Sequence, residues 1–163
     1  MSNSNASLND YRRIRPIQRV LGTLASKKLS KPSLESESKM LGLWQHGKIV
    51  FESEDEVNVL FDHLIHDGNG GPTTPLEQIT VEELESIGNE ASRVHAALLK
   101  ARLNVFRFVE CHPGLGWKVE DIWHQQASLI VDETLGNQTD LTNGIAVIRV
   151  VNMGEWAYST GLQ

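Results

Sequence analysis

Apolar and polar positions alternate along Leu103–Trp156, and turn signals cut the alternation into short runs. A period of two residues puts every second side chain on one face, the pattern of a half-buried β-strand. The runs predict strands at Asn104–Cys111, Trp117–Ile122, Ala127–Asp132, Ile145–Asn152 and Trp156–Ser159. His112-Pro113-Gly114 supplies a turn, with Pro setting φ and Gly supplying positive φ. Asn143-Gly144 marks the entry to the fourth strand. No strong helical pattern separates the third strand from the fourth. The expectation is therefore a five-stranded antiparallel small barrel, SH3-like, with an OB-like barrel as the alternative. Ile145–Val151 is apolar on both faces. It predicts a covered central strand or one that packs on helices, and at an edge it would be an association surface.

Upstream the spacing becomes helical. Ile14, Ile17, Leu21 and Leu24 form one stripe, with Val20 beside them. Pro16 suits a first turn, so the helix is expected to start near Arg15, with Tyr11–Ile14 extended. Met1–Ala6 is small and polar and predicts disorder. Leu29–Lys39 has the composition of a linker, and Lys48–Phe51 is a short strand candidate after Trp44. Ser53 to Glu56 is a capping box that opens a helix carrying Val57, Leu60, Phe61, Leu64 and Ile65. That helix stops at Asp67-Gly68-Asn69-Gly70-Gly71-Pro72. Thr80 to Glu83 is a second box, opening a helix with Val81, Leu84, Ile87, Ala91, Val94 and Leu98 on one stripe and an end near Arg102. The fold class is α+β, amphipathic helices followed by the barrel. Three regions follow: a basic N-terminal arm over 1–33, a helical region with a short strand over 34–102, and the barrel over 103–163.

Charge changes this picture. The formal net charge is −6. Met1–Met40 holds 8 Lys and Arg against 3 Asp and Glu, and Leu41–Gln163 holds 7 against 18. A basic arm is thus joined to an acidic body. The arm either folds back onto that body or reaches an anionic partner. The single cysteine, Cys111, allows no internal disulfide and no cysteine-built zinc site, which suits a reducing cytoplasm. MSNSNASLND lacks the apolar core of a secretory signal, and no apolar run reaches the ~20 residues of a membrane span.

From Leu103 to Val150 the order is specific. An Asn-Val-Phe-Arg-Phe-Val-Glu strand leads to Pro113-Gly114-Leu115-Gly116 and then Trp117-Lys118-Val119-Glu120-Asp121-Ile122. Val131-Asp132-Glu133, the Asn143-Gly144 turn and the Ile145–Val150 strand complete it. Upstream stand Leu60 to Asp67 and Thr74-Pro75-Leu76-Glu77. This arrangement resembles the C-terminal region of large uncharacterised bacterial proteins, some of which carry an SEC-C zinc motif. The resemblance covers Glu54–Val150 and implies helices followed by a small barrel. It implies no activity. The motif's cysteine-rich ligand set is absent here, so zinc does not carry over.

The candidate chemistry is sparse. Asp62 with His66, and His63 with Asp67, lie four apart and share a helix face, as a metal site or an acid–base pair would require. The plainer reading is a carboxylate–imidazole hydrogen bond near a helix end. Cys111-His112 are neighbours on a strand and point to opposite faces, which suits a buried cysteine better than a thiolate–imidazole pair. The glycine-rich run after Asp67 follows a helix, whereas a phosphate-cradling loop follows a strand. Trp117, Trp123, His124 and Trp156 would grip a peptide or stack a base if exposed, and otherwise fill the barrel core.

No nucleophile, base and orienter stand together. The expectation is a non-enzymatic binding or scaffolding module that meets a protein partner through the barrel, with no cofactor. One alternative is nucleic-acid binding, with Arg12, Arg13, Arg15, Arg19, Lys27, Lys28 and Lys31 on phosphates, against the repulsion of the acidic body. The other is a metal-dependent enzyme centred on Asp62, His63 and His66.

Overall fold

The computed structural model describes residues 2–68 and 71–160. The chain divides into two compact units. One joins Met1–Pro16 to Lys100–Gln163, and the other is Ile17–Leu99. Helix α1 (Ser2–Lys27) belongs to both, and the division falls at Pro16 inside it. The helix therefore begins well before the expected start near Arg15, and Tyr11–Ile14 is helical where an extended segment was expected. An interior proline costs about 3 kcal/mol of helix stability. Burial of Tyr11 and Ile14, three apart on one face, offsets that cost.

In the unit Ile17–Leu99, α1 buries Leu21 and Ala25. The stretch expected to be a linker is helix α2 (Lys31–Met40). Ser30 caps it by accepting from the backbone N–H of Ser33, and Pro32 sits in its first turn, where no N–H is missed. Strands β1 (Trp44–Gln45) and β2 (Lys48–Ile49) form a hairpin turned by His46 and Gly47, both at positive φ. Helix α3 (Glu54–His66) is capped by Ser53, which accepts from Glu56 N–H. The Glu56 carboxylate reaches the N–H of Glu52. Leu43, Leu60 and Leu64 form a small core, with Leu29, Leu34 and Ile49 against it. The expected long helix from Val81 is two, α4 (Val81–Ile87) and α5 (Ala91–Leu98), because Gly88 takes φ 129° between them. Thr80 and Glu83 make the full reciprocal capping box. His95 is buried and bonded to the carbonyl of Leu76.

The other unit is a barrel. Its strands are β3 (Arg102–His112), β4 (Gly116–Asp121) and β5 (Ala127–Val131), then β6 (Ile145–Asn152) and β7 (Ala157–Ser159). The short helix α6 (Glu133–Gly136) lies between β5 and β6, where no helix was expected. The barrel closes in the order β3-β4-β5-β7-β6. Every neighbouring pair is antiparallel except β5 and β7, which run parallel. The all-antiparallel expectation is thus corrected to a mixed barrel. The physical reason is the connection over 132–144, which lets β6 pair with β3, so that β7, antiparallel to β6, runs alongside β5 in the same direction.

Phe106, Phe108, Trp117, Val119, Ile130, Leu135 and Ile148 fill the interior. The Trp117 indole N–H is shared between the carbonyls of Leu135 and Gln138, each at 2.9 Å, so its one polar group is satisfied inside the core. Gly116 has no room for a side chain, because a Cβ there would meet the Ile130 carbonyl oxygen at 1.9 Å.

The N-terminal part of α1 lies on this barrel. Arg15 is buried, and its Nη1 donates to the carbonyls of Ser159 (2.9 Å) and Thr160 (3.4 Å). Arg12 pairs with Glu133. Tyr11 packs edge-on to Tyr158, with its phenol near the Asp132 carboxylate. Asp132 is buried and accepts from Thr134 N–H (2.9 Å), Leu135 N–H (3.1 Å) and the Ser159 hydroxyl (3.3 Å). One carboxylate therefore ties α6 and β7 together. Burial first, and then the Asp132 carboxylate, push the Tyr11 phenol from its ordinary 10.0 up to about 12, against the pull of Arg15.

Asp132→Ala leaves several donors without an acceptor and is expected to cost about 2 to 3 kcal/mol in chemical denaturation. The Tyr11 contribution is fully present below the ordinary tyrosine value of 10.0 and is lost as pH rises towards about 12. A denaturation series at alkaline pH should show this loss, and Tyr11→Phe should flatten it. Gly116→Ala should cost at least about 3 kcal/mol, since the β4–β5 ladder must open to admit the methyl group. A variant as stable as the parent would disprove that close approach.

Candidate functional site

Strand β4 ends at Asp121, and the chain turns through Ile122, Trp123, His124 and Gln125 into β5. Gln125 takes φ 54°, and its N–H bonds the Asp121 carbonyl at 2.8 Å. The Asp121 side chain organises this turn. Its Oδ1 accepts from Trp123 N–H (2.8 Å) and His124 N–H (2.9 Å). Its Oδ2 accepts from the Asn104 side-chain amide and lies 3.0 Å from His124 Nδ1. Asp121 is buried, which pushes its pKa up. The donors from His124 and Trp123 outweigh burial and hold the carboxyl below its usual value.

An ionised carboxylate only accepts, so Nδ1 of His124 carries the proton. In the neutral ring Nε2 then keeps the lone pair. The His124 side chain is 65% exposed. Trp123 beside it is 70% exposed, the highest value among the large apolar side chains described. Its indole has no polar or ring partner among the described residues. The turn thus offers an aromatic face and an oriented hydrogen-bond acceptor on a pinned backbone. No hydroxyl or thiol is hydrogen-bonded to His124 among the described residues.

The other expected site residues fall elsewhere. Trp117 is in the barrel core, and Trp156 is buried, stacked at a tilt on Tyr158. Neither presents a face to a ligand: Trp117 fills the core with Phe106 and Phe108, and Trp156 packs on Tyr158. Arg12 and Arg15 are held on the barrel as described. Arg13 pairs with Asp10 at 2.6 Å, and Arg19 is exposed.

In the Ile17–Leu99 unit, His63 Nδ1 lies 2.9 Å from Asp67, as its spacing predicted, and His66 lies 3.9 Å from Asp62. The second partner of His63 was not legible. Glu37 of α2 is 3% exposed, and its Oε1 stands 3.0 Å from His63 Nε2, close enough to pair charges without hydrogen-bond alignment. The two ring nitrogens point in opposite directions at two carboxylates, which joins α2 to α3. Among the described residues no group of three or more metal-ligating side chains converges. Cys111 is half-buried against the barrel core. Asn69 and Gly70 of the glycine-rich run lie outside the described residues.

Strand β6 was expected to be a covered central strand; in the closed barrel it pairs with β3 and β7 and is only partly covered. Ala146, Ile148 and Val150 face the core, Arg149 and Val151 are buried, and Ile145 and Val147 are exposed. Asp121 and Asn104 were missed in the sequence reading. The signal was present as Asp121-Ile122-Trp123-His124, an Asp that can cap the two N–H groups following its own turn.

The Asp121 contribution to the turn is present above the ordinary carboxylate pKa and is lost as pH falls through its lowered value. His124 and Trp123 amide resonances should therefore keep their dispersion down to mildly acid pH and collapse only below the usual aspartate range. In Asp121→Asn this acid transition should vanish. An unchanged profile would remove Asp121 as the organiser.

No helix among the described residues is long and apolar enough to cross a membrane. No curated protein and no solved structure matches the chain. Residues 5–163 match a family of unknown function, DUF7986, and because that match spans nearly the whole sequence, the chain belongs to this family.

Proposed function

We propose that this chain is a non-enzymatic binding module that docks a protein partner at the β4–β5 turn of its barrel. One observation carries the reading: Trp123 stands in solvent on a turn pinned by four acceptor contacts of Asp121. An exposed aromatic on a rigid backbone loses little conformational freedom on binding, the property of an interface anchor. His124 Nε2 adds a directional contact.

The parallel closure of β5 against β7, and α6 between the third and fourth barrel strands, favour the OB-like over the SH3-like description. That likeness lends no activity of its own. The outward residues of β4 and β5, Lys118, Glu120, Ala127 and Leu129, include no aromatic to stack a base. The nucleic-acid alternative has lost much of its support, because Arg12 and Arg15 are engaged on the barrel and Arg13 on Asp10. The metal-dependent alternative has His63 between two carboxylates in place of an open coordination position.

A photo-crosslinking amino acid at exposed Gln125, in extracts of the source cells, tests the reading. A single protein adduct is expected, lost in Trp123→Ala, while the unfolding midpoint of that variant shifts by less than about 0.5 kcal/mol. Loss of an anchor of this kind weakens affinity by about 2 kcal/mol, roughly thirtyfold. A nuclease-sensitive adduct, or one indifferent to Trp123→Ala, would overturn the proposal.

A further inference from the structure

Helix α2 meets α3 through a buried polar contact whose two facing atoms need a proton between them. Glu37 of α2 is 3% exposed, and no hydrogen bond reaches its Oε1 among the described residues. The atom facing that oxygen is Nε2 of His63 on α3, 3.0 Å away. The other nitrogen of the same ring, Nδ1, faces Asp67 at 2.9 Å. A neutral imidazole carries one N–H, and an ionised carboxylate only accepts. A neutral ring therefore serves one carboxylate and turns a lone pair on the other. With both carboxylates ionised, only the imidazolium meets both.

The helix ends add to this demand. His63 lies in the last turn of α3, where the negative end of the helix dipole favours a cation. Glu37 lies in the last turn of α2, where the same end disfavours an anion. A carboxylate buried there is costly unless a cation stands against it. The surrounding charges offer no substitute. Lys39 of α2 pairs with Glu35 at 2.7 Å and lies over the Trp44 ring. Lys28, just after α1, pairs with Glu83 at 2.9 Å. Lys31 at the start of α2 and His46 and Lys48 of the hairpin are exposed. His66, three residues on from His63, lies 3.9 Å from Asp62. No Lys or Arg among the described residues pairs with Glu37.

We infer that the proton on His63 is a latch that holds α2 on α3, so that the contact opens as pH rises and the imidazolium is lost. Stability supplied by a cationic histidine is present on the acid side and disappears as the ring deprotonates. Glu37 is then a buried anion without a cation, and movement of α2 into water relieves it. Leu34 rides on the same helix and leaves the small core of Leu43, Leu60 and Leu64 with it. The latch lies wholly within Ile17–Leu99 and is independent of the Trp123 turn.

Amide hydrogen exchange of the full chain, resolved by residue and corrected for the intrinsic pH dependence of exchange, tests the latch from mildly acid to mildly alkaline pH. Protection of the α2 amides should fall at least about tenfold as the His63 ring, followed through its own resonances, deprotonates. Amides of β4 and β5 should keep their protection over the same range. In Glu37→Gln the side-chain amide can donate to the neutral Nε2, so α2 should stay protected with no step. In His63→Gln the step should vanish as well, which keeps the test sound if the first variant is poorly folded. Protection of α2 that is unchanged across the His63 titration overturns the inference. So does a step that survives in either folded variant, or one shared equally by β4 and β5.

Discussion

The barrel depends on one buried carboxylate. Asp132 follows β5 and turns the chain into α6 by accepting the two N–H groups that open it. The same carboxylate takes the Ser159 hydroxyl from β7, and the Tyr11 phenol of α1 lies near it. Helix α6 lies on the connection that takes the chain from β5 to β6, and β7 returns from β6 parallel to β5. A buried carboxylate is costly unless its acceptor sites are filled. Here the donors come from both α6 and β7, so the requirement to satisfy one group fixes their mutual placement.

Asp121 repeats the device with the opposite outcome. Each aspartate accepts from the N–H groups two and three residues on. At Asp132 the captured donors lie inside, and the result is a helix and a closed core. At Asp121 the captured chain faces solvent, and the result is a stiff turn that holds Trp123 and His124 outward. The difference lies in what surrounds the turn. Leu135 after Asp132 enters the core, whereas Ile122 and Trp123 after Asp121 pass over the barrel rim.

The unit Ile17–Leu99 is made differently. Its core is small, and local signals carry much of its definition: Ser30, Ser53 and Thr80 each accept the N–H three residues on. Helices of this length are marginal alone, so caps and a few leucines decide where they start and stop. The Glu37–His63 contact is one feature local chemistry does not supply, since its two residues come from different helices.

Period and punctuation in the sequence determined the α+β class and the five barrel strands, with β6 placed at its observed bounds and the others within about two residues. They also determined the caps at Ser53 and Thr80 and the His63–Asp67 pair, because each rests on neighbours along the chain. Tertiary structure alone decided the rest. Burial of Tyr11 and Ile14 against the barrel let α1 run through Pro16. The pairing of β6 with β3 made the barrel mixed. Packing drew Trp117 into the core, buried Trp156 against Tyr158 and left Trp123 out. The candidate site divides the same way. Trp123 and His124 were legible as residues, but their exposure and the hold of Asp121 and Asn104 depend on strands that meet only in the closed barrel.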